Sequence, residues 1–160
     1  MRFSLLPRAI YPKLTDLTPE DLQRDGVRLL MLDFDNTVLP YTSNELTDEL
    51  LAWADTMQSA GIQLCVVSNS KKPRAIPFCK QAGVGLIREA KKPFAKGIRR
   101  CLEQYGIPAS EAALVGDQIY TDVLGANCAG IRSILVEPIH LHNVWLKARY
   151  ALEQPFRTKQ

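Results

Sequence analysis

Five apolar segments separated by amphipathic segments constrain the fold of this 160-residue chain more than any other feature. Their nearly continuous hydrophobicity is typical of strands that are covered on both faces of a parallel sheet. Strands that alternate with helices predict βαβ units, so we expect an α/β fold with an open parallel sheet of about five strands and helices on both faces. The five segments are VRLLMLDFD (27–35), IQLCVVSNS (62–70), GVGLIREA (83–90), AALVGDQ (112–118) and IRSILVEP (131–138).

Two terminal segments flank these strands. Residues 1–26 contain Thr18, Pro19 and Asp21, a spacing that predicts a short capped helix. We expect a single domain over residues 1–160, with a core at about 27–138 and with terminal segments that either pack on this core or bind a surface. Residues 139–160 also contain an apolar face at helical spacing, which predicts a helix docked by that face: Leu141, Val144, Trp145, Ala148 and Leu152.

The net charge is only +3, but its distribution along the chain is uneven. Residues 1–13 and 139–160 together carry seven basic residues and one acidic residue, which leaves thirteen basic and sixteen acidic residues on the remainder. This asymmetry indicates either an anionic partner at the two ends or a pair of solvated basic tails. Several apolar residues near the N-terminus could add contacts with a membrane interface or could pack on the domain: Phe3, Leu5, Leu6, Ile10 and Tyr11.

The apolar runs of the chain are short. None approaches the roughly 18 consecutive apolar residues of a membrane-spanning helix. Pro7 and Arg8 interrupt the first apolar run, so we do not expect a secretory signal there. We therefore expect a cytoplasmic protein. Its basic ends could also make peripheral contact with the inner membrane surface.

Four of the five apolar segments end in polar residues that suit phosphoryl transfer. In a parallel sheet with right-handed crossovers the carboxyl ends of the strands share one edge, so we expect these residues to lie together. Among them are carboxylates, which are ligands that Mg²⁺ prefers. The residues are Asp33, Asp35 and Thr37 at the end of the first segment, Ser68 and Asn69 at the second, Lys91 and Lys92 after the third, and Asp117 and Asp122 at and after the fourth.

These side chains match the chemistry of phosphoryl transfer. A carboxylate beside a cation can attack phosphorus, which suits Asp33, and Asp117 can supply a second ligand for that cation. Asp35 lies two residues further on and on the same side of the strand, so it can protonate the leaving oxygen and then activate water. The Ser68 hydroxyl and the Lys92 ammonium can hold the non-bridging oxygens, where negative charge develops.

The sequences DFDNT, VVSNS, KKP and GDQIYTD resemble the four motifs of haloacid dehalogenase (HAD) superfamily phosphatases, in the same order and over residues 29–136. The resemblance implies a Rossmann-like fold, Mg²⁺ as cofactor and an aspartyl-phosphate intermediate. Lys91 is a neighbouring alternative to Lys92. The implied roles are Asp33 as nucleophile and metal ligand, Asp35 as general acid/base and as a metal ligand through its backbone carbonyl, Ser68 and Lys92 as catalytic phosphate-binding residues, Asn69 as a further phosphate-binding residue, Asp117 as a metal ligand, and Thr37 and Asp122 as supporting residues.

The spacing of the motifs leaves no room for the cap domain that many HAD enzymes insert. Positions 36–65 accommodate one loop, one helix and one strand, and the 20 residues between Ser70 and Lys91 accommodate one helix and one strand. We therefore expect an open cleft and a substrate that is large or that a macromolecule or surface presents.

The flanking segments, residues 5–37 and the basic tail after LVEPIHL, are similar to those of the compact YqeG family of HAD subclass IIIA, which is related to phosphatidylglycerophosphate phosphatases. That resemblance implies hydrolysis of phosphatidylglycerophosphate to phosphatidylglycerol, with a lipid head group as partner and contact between the basic ends and an anionic membrane. Two alternatives stay open: a HAD phosphatase for a nucleotide, a sugar phosphate or a phosphoprotein, and a ribosome- or RNA-associated factor with little catalysis. The complete set of catalytic residues argues against a nucleic-acid partner, and the oligomeric state stays open.

Overall fold

Six strands form one parallel sheet in the computed structural model, which describes residues 3–158. Their order across the sheet is β1-β6-β5-β2-β3-β4, and each neighbouring pair is parallel. This arrangement confirms the predicted α/β fold with an open parallel sheet. The strands are β1 (Ala9–Tyr11), β2 (Leu29–Leu32), β3 (Gln63–Val67), β4 (Gly85–Ile87), β5 (Ala112–Gly116) and β6 (Arg132–Val136).

Six α-helices connect or follow these strands. The first is capped as predicted, because Thr18 and Asp21 form a reciprocal capping box at its start. A π-helical turn, Ile119–Val123, leads directly into the fifth. Within the described residues, no helix has the length and apolar character that a membrane crossing requires. The helices are α1 (Pro19–Arg24), α2 (Asp48–Ser59), α3 (Ile76–Ala82), α4 (Lys96–Tyr105), α5 (Leu124–Ala129) and α6 (Val144–Glu153).

The central strand β2 shows why the apolar segments are nearly continuous. Leu30 and Leu32 pack into the cluster that includes α1, α2 and α3. Leu29 and Met31 point to the opposite face and pack with α4 and α5. Since successive side chains of a strand point to opposite faces, a sheet covered on both sides needs apolar residues at every position.

The sheet has six strands rather than about five, because residues 9–11 add β1 at the edge beside β6. This strand has only three residues, all half-buried, and it lies between Pro7 and Pro12. Neither an apolar run nor an alternating pattern marks so short a segment, so it was missed. Leu5 and Ile10 pack beside β6 and Tyr11 packs on the main core, so these three residues confirm the packing alternative.

The order of the strands determines where a ligand site can form. The chain leaves β2 towards β3 on one side of the sheet, and it returns to β5 on the other side of β2. In open α/β sheets the crevice at the carboxyl ends of such diverging neighbours is the usual ligand site. We therefore expect the predicted acidic residues to lie together at the carboxyl ends of β2 and β5.

A helix follows the last strand as predicted, but the prediction of its docking face is wrong. Val144, Trp145 and Leu152 are 77%, 85% and 67% exposed. The helix α6 instead buries Leu146 and Glu153. The physical reason is that α6 lies against polar loops at the carboxyl edge of the sheet, and the backbone N–H groups of these loops need acceptors.

The basic residues of the two ends are not equally accessible. The Arg157 guanidinium is buried and donates to two backbone carbonyls, at 3.0 and 3.1 Å, so it cannot contact a membrane. Lys13 pairs with Glu49 at 2.8 Å on the surface. Two of the basic residues that could contact an anionic partner lie outside the described part of the chain: Arg2 and Lys159.

Candidate active site

Three buried aspartates meet at the carboxyl ends of β2 and β5. Asp33 directly follows β2, and its backbone N–H donates to the carbonyl of Val115 on β5 at 2.9 Å. Asp117 directly follows β5, and Asp122 lies in the π-helical turn after it. Each offers one carboxylate oxygen, and these oxygens lie within 4.8 Å of one another. The structure therefore brings together acidic residues that are up to 89 positions apart in the sequence.

A buried ammonium group compensates part of this negative charge. Lys92 Nζ donates to Asp33 Oδ1 and to Asp122 Oδ1, both at 2.7 Å. Burial favours the neutral amine, but the two carboxylates outweigh it and raise the pKa of Lys92, which keeps the ammonium charged. Lys91 is exposed, so the structure places Lys92 and not its neighbour beside the aspartates.

Asn69 holds the backbone that carries this lysine. Its side-chain amide donates to the carbonyl of Lys92 at 2.9 Å, and its side-chain oxygen accepts from the Lys92 N–H at 2.7 Å. The end of β3 is thereby fixed to the loop after β4. Phosphate binding by Asn69 stays a prediction, since both polar atoms of its side chain already have backbone partners.

Asp117 has the features expected of a cation ligand. Its Oδ2 atom is buried and has no hydrogen-bond partner within residues 3–158, which is costly unless another group compensates the charge. Burial, together with the charges of Asp33 and Asp122, raises the pKa of Asp117 well above its usual value. Thr37 Oγ1 lies 3.3 Å from oxygens of both Asp33 and Asp117, so it links the two strand ends. An orphaned carboxylate oxygen among further carboxylates fits a hard divalent cation.

Asp122 has partners for both of its oxygens. Oδ1 accepts from Lys92, and Oδ2 accepts from the backbone N–H of Gln118 at 3.2 Å. Burial and the charge of Asp33 raise the pKa of Asp122 to about 6, although Lys92 opposes this shift. A Cβ atom at Gly116 would lie 2.3 Å from this carboxylate, which explains the glycine before Asp117. The arrangement suits the supporting role predicted for Asp122.

Asp35 is held apart from this cluster by an arginine that sequence analysis did not identify. Arg74, in the turn before α3, donates to Asp35 Oδ1 and to the backbone carbonyls of Pro40 and Ser43 at 2.7 and 2.8 Å. Burial raises the pKa of Asp35, Arg74 opposes this shift, and the charge of Asp33 adds to it. A carboxyl with a raised pKa suits a group that must give up and regain a proton.

The predicted residues border one cleft of about 450 Å³. Asp33, Asp35, Ser68, Asn69 and Lys92 line it, whereas the predicted residues Thr37, Asp117 and Asp122 are buried and do not line it. The lining also includes polar and charged side chains that sequence analysis missed: Tyr41, Ser70, Lys72, Arg74, Gln118, Thr121 and Arg149.

The C-terminal helix contributes to the site through its inward face. Arg149 Nη2 lies 4.0 Å from the orphaned Asp117 Oδ2. Glu153 Oε1 accepts from the backbone N–H groups of Ile119 and Tyr120 at 3.0 and 3.4 Å, and Arg157 donates to the carbonyl of Asp117. The i, i+4 spacing of Arg149, Glu153 and Arg157 was the available signal, but a charged face normally points to solvent.

Comparisons with known proteins agree with this geometry. A family model described as haloacid dehalogenase-like hydrolase matches residues 9–130. The chain is 32% identical over 134 residues to a protein named "Probable phosphatase YqeG" from Bacillus subtilis, covering 84% of this chain and 78% of that protein. It is 27% identical over 143 residues to phosphatidylglycerophosphate phosphatase 1, chloroplastic, of Chlamydomonas reinhardtii, with 84% of this chain covered. The chain spans about half the length of that second relative (53%).

Solved structures share the fold at low sequence identity. A protein from Listeria monocytogenes serotype 4b superposes with a TM-score of 0.55 at 16% identity, over 81% of this chain and 99% of that one. The cobalt-bound form of the deoxy-D-mannose-octulosonate 8-phosphate phosphatase from Haemophilus influenzae superposes with a TM-score of 0.56 at 14% identity, over 78% and 75%. The chain therefore belongs to the haloacid dehalogenase-like hydrolases and is a HAD phosphatase that hydrolyses phosphoric monoesters.

Proposed function

We propose that this phosphatase is Mg²⁺-dependent, that it works through an aspartyl-phosphate on Asp33, and that its substrate is phosphatidylglycerophosphate. One observation carries the mechanistic part of the proposal. Asp33 lines an open cleft, accepts from the ammonium of Lys92, and belongs to the same cluster as Asp117, whose buried Oδ2 has no hydrogen-bond partner among the described residues.

The residues present fit a magnesium ion. The carboxylates of Asp33 and Asp117 and the backbone carbonyl of Asp35 would hold it, with Asp122 supporting them. Such an ion, when bound, would neutralise the clustered carboxylates and polarise a phosphoryl oxygen.

In the first half of the reaction, a carboxylate oxygen of Asp33 attacks phosphorus and the bond from phosphorus to the alcohol oxygen breaks. The leaving alkoxide takes the proton of the Asp35 carboxyl and departs as the alcohol. Lys92 holds the Asp33 carboxylate in place through its 2.7 Å bond, and the Ser68 hydroxyl donates to a non-bridging oxygen.

In the second half, the Asp35 carboxylate takes a proton from water as that water attacks the phosphorus of the aspartyl-phosphate. The bond between phosphorus and Asp33 breaks, inorganic phosphate leaves, and both carboxyl groups return to their starting states. Arg74 holds Asp35 in one position for both proton transfers, because its guanidinium is anchored on backbone carbonyls.

The open, cationic cleft supports a bulky anionic substrate. After the first and second motifs, the chain passes through a loop and a short turn directly to α2 and α3, and these segments leave the cleft open beside Tyr41 and Lys72. Lys72, Arg74 and Arg149 line the same cleft as Asp33, so a phosphomonoester and a neighbouring phosphodiester would find positive partners there. Similarity to the phosphatidylglycerophosphate phosphatase of Chlamydomonas reinhardtii favours that lipid.

Release of inorganic phosphate by the purified protein tests this function. Phosphatidylglycerophosphate in mixed micelles is compared with nucleotides, sugar phosphates and a phosphopeptide, each with Mg²⁺ and with EDTA. Asp33→Asn provides the blank. We expect lipid turnover that disappears with EDTA and in the variant.

The other outcomes separate the parts of the proposal. Turnover of soluble esters without lipid turnover would contradict the substrate and leave the mechanism in place. Turnover that survives EDTA would contradict the metal requirement. Full activity of Asp33→Asn would contradict the nucleophile.

A further inference from the structure

The helix α6 presents an apolar face to solvent. Five of its exposed residues follow the i, i+1, i+4, i+7, i+8 spacing of a single helical face. A surface helix normally turns such a face to the core. Within residues 3–158 nothing covers it, so the face is free for a partner. The five residues are Val144, Trp145, Ala148, Ala151 and Leu152.

This face lies next to the active-site cleft. Arg149 lies one helical turn after Trp145, at the border of this face, and it lines the cleft with a nitrogen 4.0 Å from Asp117. The far end of the helix contacts the π-helical turn, because the Tyr120 hydroxyl donates to the carbonyl of Leu152 at 3.4 Å. A surface that meets the apolar face of α6 therefore also meets the rim of the cleft.

Other exposed apolar side chains lie at the same edge of the sheet. They belong to the loops that follow β2, β4, β5 and β6 at their carboxyl ends, where the cleft opens. Outside α6, the other exposed large apolar residue among those the structure describes is Phe3, in the segment before β1 rather than after a strand. Concentration of apolar surface at one edge marks an interaction site. The loop residues are Tyr41, Phe94, Tyr120 and Ile139.

The charges at this edge suit an anionic partner. The exposed residues of α6 include Lys147 and no acidic residue. Lys72 lines the cleft, and the exposed Lys91 lies in the loop that leads to Phe94. Aromatic and aliphatic side chains on one helical face, with lysine beside them, are typical of helices that lie in a membrane interface.

We propose that α6 docks on an anionic lipid bilayer, with Trp145 and Leu152 entering the interface and with the cleft mouth beside the head groups. The inference deepens the proposed function and rests on it in one respect, because a lipid phosphate reaches Asp33 only where the cleft meets a bilayer. A second protein copy fits the face less well. A helix of ten residues is only about 15 Å long. One face of so short a helix is small compared with the roughly 1,200–2,000 Å² that a stable protein interface buries. Shallow insertion into lipid needs only the one helical face.

The two tryptophans of the chain allow a direct test. Trp53 is buried and its indole N–H donates to the carbonyl of Leu17 at 2.8 Å, so its emission stays constant. Trp145 is exposed and reports on the apolar face. The full chain carrying Asp33→Asn is mixed, in EDTA, with phosphatidylcholine vesicles that do or do not contain phosphatidylglycerol. Co-sedimentation, the blue shift of the emission and quenching by brominated lipid are measured, and none of them depends on turnover.

We expect binding to the phosphatidylglycerol vesicles with quenching of Trp145, and weaker binding at high salt. Trp145→Ser combined with Leu152→Ser should weaken the partition at least about tenfold. Lys147→Gln should weaken it about fivefold. The matched control is Phe3→Ser, which removes an exposed aromatic residue from the segment before β1 and should leave binding unchanged.

Three results would contradict the inference, and one further result would contradict only the proposed substrate. Wild-type protein that does not bind either vesicle, or Trp145 that is not quenched by brominated lipid, would overturn it. Self-association that buries Trp145 without vesicles would assign the face to a second copy. Vesicle binding by a protein that does not hydrolyse phosphatidylglycerophosphate would leave this inference standing and contradict the proposed substrate.

Discussion

Replacement of Lys92 with methionine tests the buried charge arrangement of the site. The ammonium lies 2.7 Å from carboxylate oxygens of both Asp33 and Asp122, and the lysine side chain is 1% exposed. Methionine keeps most of the volume but removes the charge, so the carboxylates are left without their cation. Removing one partner from a buried ion pair costs about 3–5 kcal/mol. We expect the free energy of unfolding to fall by that amount at pH 7 in metal-free buffer.

Urea denaturation followed by circular dichroism measures this change. With a urea dependence of about 2 kcal/mol per molar, the midpoint should fall by about 2 M. Lys91→Met is the matched control, because that neighbouring lysine is exposed, and its effect should stay within about 0.5 kcal/mol. Adding Asp122→Asn to Lys92→Met should restore part of the loss, since it removes one of the uncompensated charges.

Two results would refute this reasoning. A fall in stability no larger than that of Lys91→Met would mean that Lys92 is not a buried partner of the aspartates. A double variant without any recovered stability would mean that Asp122 and Lys92 do not compensate each other. In either case the phosphate-binding role of Lys92 would lose its structural support.

Three further predictions concern the chemistry of the site. Asp33→Asn should abolish phosphate release while leaving the circular dichroism spectrum unchanged; turnover above that of an assay without protein would remove the nucleophile assignment. Asp35→Asn should lower kcat by about 10²–10⁴-fold, the usual contribution of a positioned acid/base, and an unchanged kcat would move that role to another residue. Mg²⁺ should raise the Tm more at pH 7 than at pH 5. The raised pKa values of Asp122 (about 6) and Asp117 mean that protons compete with the metal at the lower pH, so equal shifts in differential scanning fluorimetry would contradict this coupling.

The central sheet and the residues that follow its strands could be predicted because each has a local signal. All four residues of β2 are apolar and Asp33 follows directly, so both the strand and its exit into the site are visible within residues 27–35. Parallel topology then places Asp117 beside it, although 83 residues separate the two along the chain. Grouping Asp33 with Asp117 needed only the rule that the carboxyl ends of parallel strands share one edge of the sheet.

Residues that act across the sheet without a local signal could not be predicted. Arg74 contacts Asp35 from the turn before α3, and Arg149 contacts the cleft from α6. Each is a single basic residue in a segment where a basic side chain is most often simply exposed to solvent. The orientation of α6 was also missed, since helical periodicity identifies an apolar face but not what lies opposite it. Here the charged face of the helix packs inward, because the polar loop at the end of β5 needs its hydrogen-bond donors and acceptors.

The bonds from Glu153 and Arg157 to residues 117–120 have a consequence for how the enzyme becomes active during synthesis. A fragment that ends at residue 140 contains all four catalytic motifs, yet it lacks the acceptor for the N–H groups of Ile119 and Tyr120 and the donor for the carbonyl of Asp117. Such a fragment would leave the loop that carries Asp117 without its fixed shape. We therefore expect the loop that carries Asp117 to take its final shape only after Glu153 and Arg157 have been synthesised and α6 has packed against it.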